Sequence, residues 1–565
     1  MMCFRSFWNF GSVFKPAFTE SRHTTRTMHV QNQANAAAEL PLEQPTNNRR
    51  EIIGWAMYDW ANSAFSTTVG TVFLGPYLAS LADAAAKASP DGQARFFGLP
   101  VAPDSFLPYC IAFSVVLQAG FLPILGAIAD YAHRRKQMLQ RFAIIGGLAT
   151  TLLFFVQGDL WWLGGVLFIL ANLCFGAAIV FYNAYLPDIA SEGARDRVSS
   201  FGWAMGYLGG GVLLVINLIL FLLRDRLGLD SGLAVRINLA SAGIWWLGWS
   251  VWTWLTLRPR HRARRLPAGK SILRVAFDQL GETMETPPRT VASLLLSPLL
   301  VFVLFPLVSA LRLPLEAIFI AVVGPVIMIG VFLWRKSRSR PQTAKFLLAY
   351  LIYNDGIQTV IGAATLFAAA PAIRGGLGIP VERLTLLILM IQFVAFFGAL
   401  FFGALAGRIG GQRALVTSLV IWSSAVIYAF LGMRDYSPAA LGIPRAELEF
   451  WILGAMIATV LGGSQALSRS LFAQMIPKNQ EAEFFSIYEI SERGTSWMGP
   501  FLFGFVNQVV GNLRPAILSV VIFFVVGLAI LLTVNMARAI AESGRREEEQ
   551  ARRTIAEEQP AQAPA

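Results

Sequence analysis

Stretches of about 20 consecutive apolar residues, the length a helix needs to cross the ~30 Å hydrocarbon core of a bilayer, recur along nearly all of this 565-residue chain. A soluble fold cannot hide them. The chain is 55% hydrophobic and only 14% charged, whereas a soluble domain carries roughly a quarter charged residues. Inside lipid, backbone N–H and C=O groups must be paired within the spanning structure itself, and runs of this length do that as helices. The predicted class is an all-α polytopic membrane protein forming one membrane domain.

Spans are predicted near residues 54–82, 105–129, 138–157, 160–184, 201–223 and 237–257, then 293–310, 315–334, 346–371, 384–406, 414–433, 449–473, 484–509 and 515–537. This makes about 14 helices at ~20 residues each. The net charge of +12 is carried largely by short clusters between apolar runs, HRRK at 133–136, RPRHRARR at 258–265 and RKSRSR at 335–340, which argues against a nucleic-acid-binding module. With a cytoplasmic N-terminus, most Lys and Arg fall on cytoplasmic segments, as the positive-inside rule asks, and Arg493 lies within a span. Both termini are then expected in the cytoplasm. The first 50 residues read as a flexible tail. Their lack of acids before Glu20 also permits a transit-peptide reading, with Met28 as an alternative start.

Two pairs of segments suggest an internal repeat, the usual construction of secondary transporters. The second span ends G-A-I-A-D-Y-A-H-R-R-K, from Gly126 to Lys136, and the tenth ends G-A-L-A-G-R-I-G-G-Q-R, from Gly403 through Arg408 to Arg413. Each is a small-residue helix end running into a basic turn. The first span carries Y-D-W-A-N-S at Tyr58 to Ser63, and the ninth carries Y-N-D-G-I-Q at Tyr353 to Gln358. The excess sequence between the copies is the apolar pair at 293–334. The expected organisation is a tail over 1–50, six helices over 51–257, a basic linker over 258–345 with an inserted membrane hairpin at 293–334, six helices over 346–537, and a charged tail over 538–565.

The loop G-x-x-x-D-x-x-x-R-R-K, with Gly126, Asp130, Arg134, Arg135 and Lys136, resembles the signature between helices two and three of the major facilitator superfamily. More specifically, G-W-A-M-Y-D-W-A-N-S-A-F at 54–65, Y-N-A-Y-L-P-D-I-A at 182–190, Y-L-I-Y-N-D-G-I-Q-T-V at 350–360 and Y-E-I-S-E-R-G-T-S-W-M-G-P at 488–500 resemble the vacuole effluxer family. That resemblance covers roughly residues 50–537 outside the hairpin. It implies two six-helix halves that alternate access, and a link to amino-acid release in fungal vacuoles. The chain departs from the pattern in its extra hairpin and in having Gly407 where the first loop copy has Asp130.

An ionised group at mid-membrane is costly and normally faces a cavity or a partner. Asp59 and Asp355 are expected in the cytoplasmic half of a central cavity, with Asn62, Ser63, Gln358 and Thr359 three or four residues further along the same helical faces. Tyr353 and Asn354 precede Asp355, while Tyr182 and Asn183 end the fourth span and are further solute candidates. Glu489 and Arg493 stand at i,i+4 with Glu492 beside them, so one acid can neutralise the arginine and leave another free. A free desolvated carboxylate holds a proton more readily than one in water, which would let Asp59, Asp355 or Glu492 couple transport to a proton gradient, while Arg493 holds a solute carboxylate. The competing reading makes Asp59, Asp355, Glu489 and Arg493 interhelical ion pairs that fix packing or gate one side. Gly126, Asp130, Arg134, Arg135 and Lys136, with Gly403, Arg408 and Arg413 in the second copy, are gating candidates, and Asp130 is expected at a helix terminus. Gly206, Gly209, Gly210 and Gly211 are read as close-approach positions, and Trp161, Trp162, Trp245, Trp246 and Trp249 as interfacial anchors.

An enzyme is not expected, since neither HExxH nor a nucleophile with a plausible base is found among 4 His and 3 Cys. No metal or other cofactor is called for. Without an ATPase domain, active transport would draw on an ion gradient. The expected function is a secondary active transporter, acting as a monomer in a lipid bilayer, for a small polar solute, with a proton or another coupling ion and with amino acids favoured through the resemblance. The alternative is a non-transporting sensor or scaffold on the same fold. Arginine far outnumbers lysine, which favours a bacterial inner membrane over a vacuole-type one.

Overall fold

The computed structural model describes residues 46–89, 94–96, 99–101, 106–259, 271, 274–278, 341–370, 372–437, 443–477, 480–493, 499, 502–503, 506, 510 and 512–543, without the side chains of a few of them. The expected hairpin at 293–334 and most of both tails lie outside these residues. The rest is nearly all helix, with a small hairpin, β1 (Ala94–Phe96) antiparallel to β2 (Leu99–Val101), in the first connection.

Helix α1 runs Arg49–Ala88 and is π-helical over Phe65–Phe73. It outruns the expected span at both ends because polar capping, and not apolar length, sets where a helix begins. Asn48 accepts from the backbone N–H groups of Arg50 and Glu51, satisfying two of the donors a helix N-terminus leaves open. Then come α2 (Phe106–Ala132), α3 (Arg135–Leu152), α4 (Trp161–Ala184), α5 (Arg195–Leu222) and α6 (Ser231–Thr256). A second set follows: α7 (Pro341–Ala369), α8 (Val381–Ile409), α9 (Gly411–Leu431), α10 (Arg445–Ala473), α11 (Glu481–Arg493) and α12 (Leu513–Leu532). Among the described residues, nine helices are long and apolar enough to cross a membrane.

In the first set α1 lies along α5 and α6, and α4 lies between α2 and α3; in the second, α10 lies along α8 and α9, and α7 along α12. The sets meet where α5 touches α8 and α10, and where α2 and α4 touch α11. Close approach between α1 and α5 depends on glycine. A Cβ at Gly209 would stand 2.4 Å from the Trp60 carbonyl oxygen, and one at Gly206 2.8 Å from Ser63 Oγ. Gly211, by contrast, faces Gln392 of α8.

Two expected interfacial indoles are core residues instead. Trp161 and Trp246 are buried, and Trp246 packs over Gly146 of α3 and against Phe65 and Phe175. The missing Cβ at Gly146 makes the room that draws the indole inward. Trp162 does stay exposed. Buried amides join helices: Gln118 Nε2 donates to the Asn172 carbonyl at 3.0 Å, Asn172 Nδ2 to Ser114 Oγ at 2.7 Å, and Asn217 Nδ2 to Thr68 Oγ1 at 3.1 Å.

Candidate functional site

Buried charge gathers in two places where the helix sets meet. The first lies inside the bundle, around Asp59, about ten residues and so ~15 Å along α1 from its start at 1.5 Å per residue. Tyr182 Oη donates to Asp59 Oδ2 at 2.6 Å, and Trp55 Nε1 donates to the Tyr182 carbonyl at 2.9 Å. The two rings stack with centroids 4.4 Å apart. This packing needs Gly202 of α5, where a Cβ would stand 2.8 Å from Asp59 Oδ2 and 2.9 Å from Tyr182 Oη.

The cation at Asp59 comes from the other helix set. Arg469 of α10 places Nη1 3.4 Å from Asp59 Oδ2 and 3.2 Å from Asn183 Oδ1, while Nε donates to Ser199 Oγ at 2.9 Å and Nη2 to the Ser199 carbonyl at 2.7 Å. Asn183 Nδ2 in turn donates to Glu489 Oε1 of α11 at 2.9 Å. Sequence reasoning misses Arg469. The signal for it exists, since it sits inside the predicted span 449–473, in Q-A-L-S-R-S-L-F, and the intramembrane-charge rule that singles out Asp59 applies to it equally.

Asp355 does not share this cluster. The repeat sets Tyr353 opposite Tyr58, and therefore Asn354, not Asp355, opposite Asp59. One residue turns an α-helix by about 100°, at 3.6 residues per turn, so adjacent positions face different neighbours. Asn354 Oδ1 accepts from Gln465 Nε2 of α10 at 2.7 Å, and Tyr353 Oη meets Ser468 Oγ at 2.6 Å. Asp355 instead accepts from the Gly499 backbone N–H at 2.6 Å through Oδ2, while its buried Oδ1 has no hydrogen-bond partner among the described residues. Thr359 donates to the Asp355 carbonyl, and Gln358 is half-buried. Asn62 is buried, and Ser63 lies against Gly206. The side chains of Glu492 and Arg493 lie outside the described residues, so the expected pair of Arg493 with Glu489 does too.

The second cluster lies where α2 and α3 meet the first turn of α11. Asp130, near the end of α2, accepts from the Glu483 N–H at 2.9 Å and the Ala482 N–H at 3.3 Å, capping the first turn of α11, where open N–H groups favour an anion. Arg135 Nε donates to Asp130 Oδ1 at 2.7 Å, and its Nη1 lies 3.2 Å from Asp188 Oδ2 and its Nη2 against Glu481. Of the three adjacent basic residues only Arg135 enters this cluster. Arg134 is exposed, and Lys136 donates to the Leu257 carbonyl at 2.6 Å. Asp188 and Glu481 complete the cluster, and sequence reasoning misses both as site residues, although Asp188 falls within the motif at 182–190.

The second loop copy keeps the glycine contact and loses the charge. A Cβ at Gly126 would stand 2.6 Å from the Ala482 carbonyl oxygen, and one at Gly403 2.6 Å from Ser200 Cβ, so both helix ends dock on the opposite helix set. Gly407, at the place of Asp130, faces nothing within 4 Å, and Arg408 and Arg413 are exposed. A carboxylate comes instead from α5, where Asp196 accepts from Ser470 Oγ at 2.5 Å and lies against Gly411. Gly126→Ala is expected to lower stability by about 1–3 kcal/mol, because the obstacle is backbone that cannot rotate away. Gly407→Ala, in open space on a helix, is expected to be neutral or to stabilise by up to ~1 kcal/mol. Thermal melts of the two purified variants check this, and equal shifts would contradict the docking geometry.

Comparison with known proteins agrees with this architecture. The chain matches the family described as vacuole effluxer Atg22 like over residues 47–305 and 317–544. It is 28% identical to the uncharacterized MFS-type transporter YxiO of Bacillus subtilis, across 85% of this chain and 94% of that protein. It is 24% identical to autophagy-related protein 22-1 of Penicillium rubens, across 88% and 91%. Among solved structures it resembles the proton:xylose symporter XylE of the major facilitator superfamily, with a TM-score of 0.58 at 12% identity over 86% of this chain and 95% of that one. The human organic anion transporter MFSD10 gives 0.54 at 16% identity over 86% and 100%.

Proposed function

This chain belongs to the vacuole effluxer Atg22-like family, and from that premise we propose that it is a secondary active transporter moving a small polar solute, an amino acid first among candidates, by alternating access. The observation that carries the reading is the Asp59–Arg469 contact, a largely buried charge pair inside the bundle whose members belong to different helix sets. Buried charge is expensive in a membrane protein and usually marks a solute or ion path, and a pair divided between two sets is made and broken as they rock.

Each group then has a part. The Asp130–Arg135–Glu481 cluster holds one end shut, so solute enters from the other end. Asp59, Tyr182 and Asn183 line the solute site, Arg469 reaches it from the other helix set, and Glu489 ties it to α11. Asp355, with one buried oxygen unpaired among the described residues, carries the coupling proton. The protein works in a bacterial inner membrane with both termini in the cytoplasm. The amino-acid class follows from the resemblance of the motif strings to the vacuole effluxer family.

Uptake of labelled neutral and basic amino acids into proteoliposomes, with and without a pH gradient, tests this. Flux that rises several-fold with the gradient is the expected result. A sealed vesicle showing no flux for any amino acid or for a wider panel of polar solutes would mean a sensor or scaffold instead.

A further inference from the structure

Arg469 is enclosed by more than its hydrogen bonds. Its guanidinium carbon lies 5.0 Å from the centroid of Trp55, 5.6 Å from Tyr182 and 5.5 Å from Trp203, all within the ~6 Å over which a ring face attracts a cation. The three rings, and the four acceptors supplied by Asp59, Asn183 and Ser199, all belong to α1, α4 and α5. Only the guanidinium comes from the second helix set. A complete cation receptor therefore stands on one side of an interface, filled by a side chain from the other.

The receptor does not need Arg469 to hold its shape. Trp55 is fixed by its bond to the Tyr182 carbonyl and by stacking at an interplanar angle of 11°, and Tyr182 is tied to Asp59 through its hydroxyl. If α10 moves away, these contacts remain while the carboxylate loses its cation, which is costly for a buried charge.

We propose that this cage is a binding site for a diffusible organic cation, an ammonium or guanidinium group on the transported solute, and that Arg469 occupies it as a tethered competitor whenever the helix sets are closed here. The proposal rests on the transporter reading above and adds the charge class of the solute. Docking of Arg469 and binding of solute exclude each other, so arrival of the solute releases the second helix set. An anion is not favoured in the cage, because ring faces are negative and Asp59 adds a carboxylate. A solute with an exposed amine or guanidine enters, and a plain carboxylic acid does not.

The test uses the full chain in lipid nanodiscs, with methylguanidinium as probe and sodium chloride at equal ionic strength as control. Removing a tethered competitor raises apparent affinity for the free ligand by the fraction of receptor it had blocked. In Arg469→Ala, methylguanidinium at low millimolar concentration is expected to raise Tm saturably, with half-effect at least tenfold lower than in the native chain. Adding Asp59→Asn to that variant should abolish the shift. If Arg469→Ala does not purify as a monodisperse protein, Arg469→Gln, closer in shape, takes its place. No saturable shift, an equal shift in native and variant chains, or an equal shift with sodium acetate overturns the proposal. Amino-acid flux in vesicles without any methylguanidinium effect would remove the cage and leave the transporter standing; a methylguanidinium shift without flux would do the reverse.

Discussion

Arg135→Ala is expected to open the closed end of the bundle and to increase sharply the labelling of a Ser486→Cys thiol by a soluble maleimide. Arg135 is buried among three carboxylates, those of Asp130, Asp188 and Glu481. Taking away one member of a buried charge cluster costs about 3–5 kcal/mol, because the others are left uncompensated. Here the carboxylates are divided between α2 and the short helix Leu186–Ile189 on one side and α11 on the other. Their repulsion is therefore relieved by parting the two helix sets, without unfolding either. At about 1.4 kcal/mol per factor of ten, the closed state loses roughly two to three and a half powers of ten against the open one. Ser486 lies one turn beyond Ala482 and is fully buried, so its exposure reports that opening. Asp188→Asn should have a smaller effect, since Asp188 is the most exposed of the three acids, at 18%. A labelling rate unchanged by Arg135→Ala would show that this cluster does not hold the end shut.

Asp355→Asn is expected to abolish accumulation driven by a pH gradient, by tenfold or more, while exchange of labelled for unlabelled solute across equal pH continues. Asparagine has almost the shape of aspartate, and its carbonyl oxygen can still accept from the Gly499 N–H as Asp355 Oδ2 does at 2.6 Å. Packing is therefore kept. What is lost is a carboxyl oxygen that can take up and release a proton, Asp355 Oδ1, which has no hydrogen-bond partner among the described residues. Exchange needs only rocking and solute binding, whereas net accumulation needs the coupling ion as well. Asp59→Asn should behave differently, lowering exchange and accumulation together, because Asp59 is part of the proposed solute cage. If Asp355→Asn leaves gradient-driven accumulation intact, another group carries the ion; if it stops exchange too, Asp355 belongs to the solute path or to the fold.

Several of these positions are legible in the amino-acid sequence alone. A carboxylate within an apolar run stands out because membrane insertion penalises it, so Asp59 and Asp355 are visible from spacing. The glycine-started loop marks both docking points, since a helix end of small residues followed by a basic turn is a local pattern. Arg469 obeys the same rule as the two aspartates, but it lies in a serine-rich stretch that reads as an ordinary polar face. Asp188 and Glu481 are harder, because each looks like a solvated loop charge until α4 and α11 are brought against Arg135. The equivalence of Asp59 and Asp355 fails by one residue, which on a helix is a quarter turn or more.

The class of the protein follows from the apolar runs alone. Apolar runs of membrane length leave helices as the only economical structure, and the motif strings were enough to indicate the family. Such properties are local: each follows from a few adjacent residues and from the solvent around them. Which charges meet depends on how the helices pack. That packing set Arg469 in the rings of α1, α4 and α5, placed Asp130 on the first turn of α11, and set Asp196 against Gly411 in the loop copy that has Gly407 in place of Asp130. Those pairings join residues far apart in the chain, and nothing in the spacing of either partner specifies the other until the helices pack.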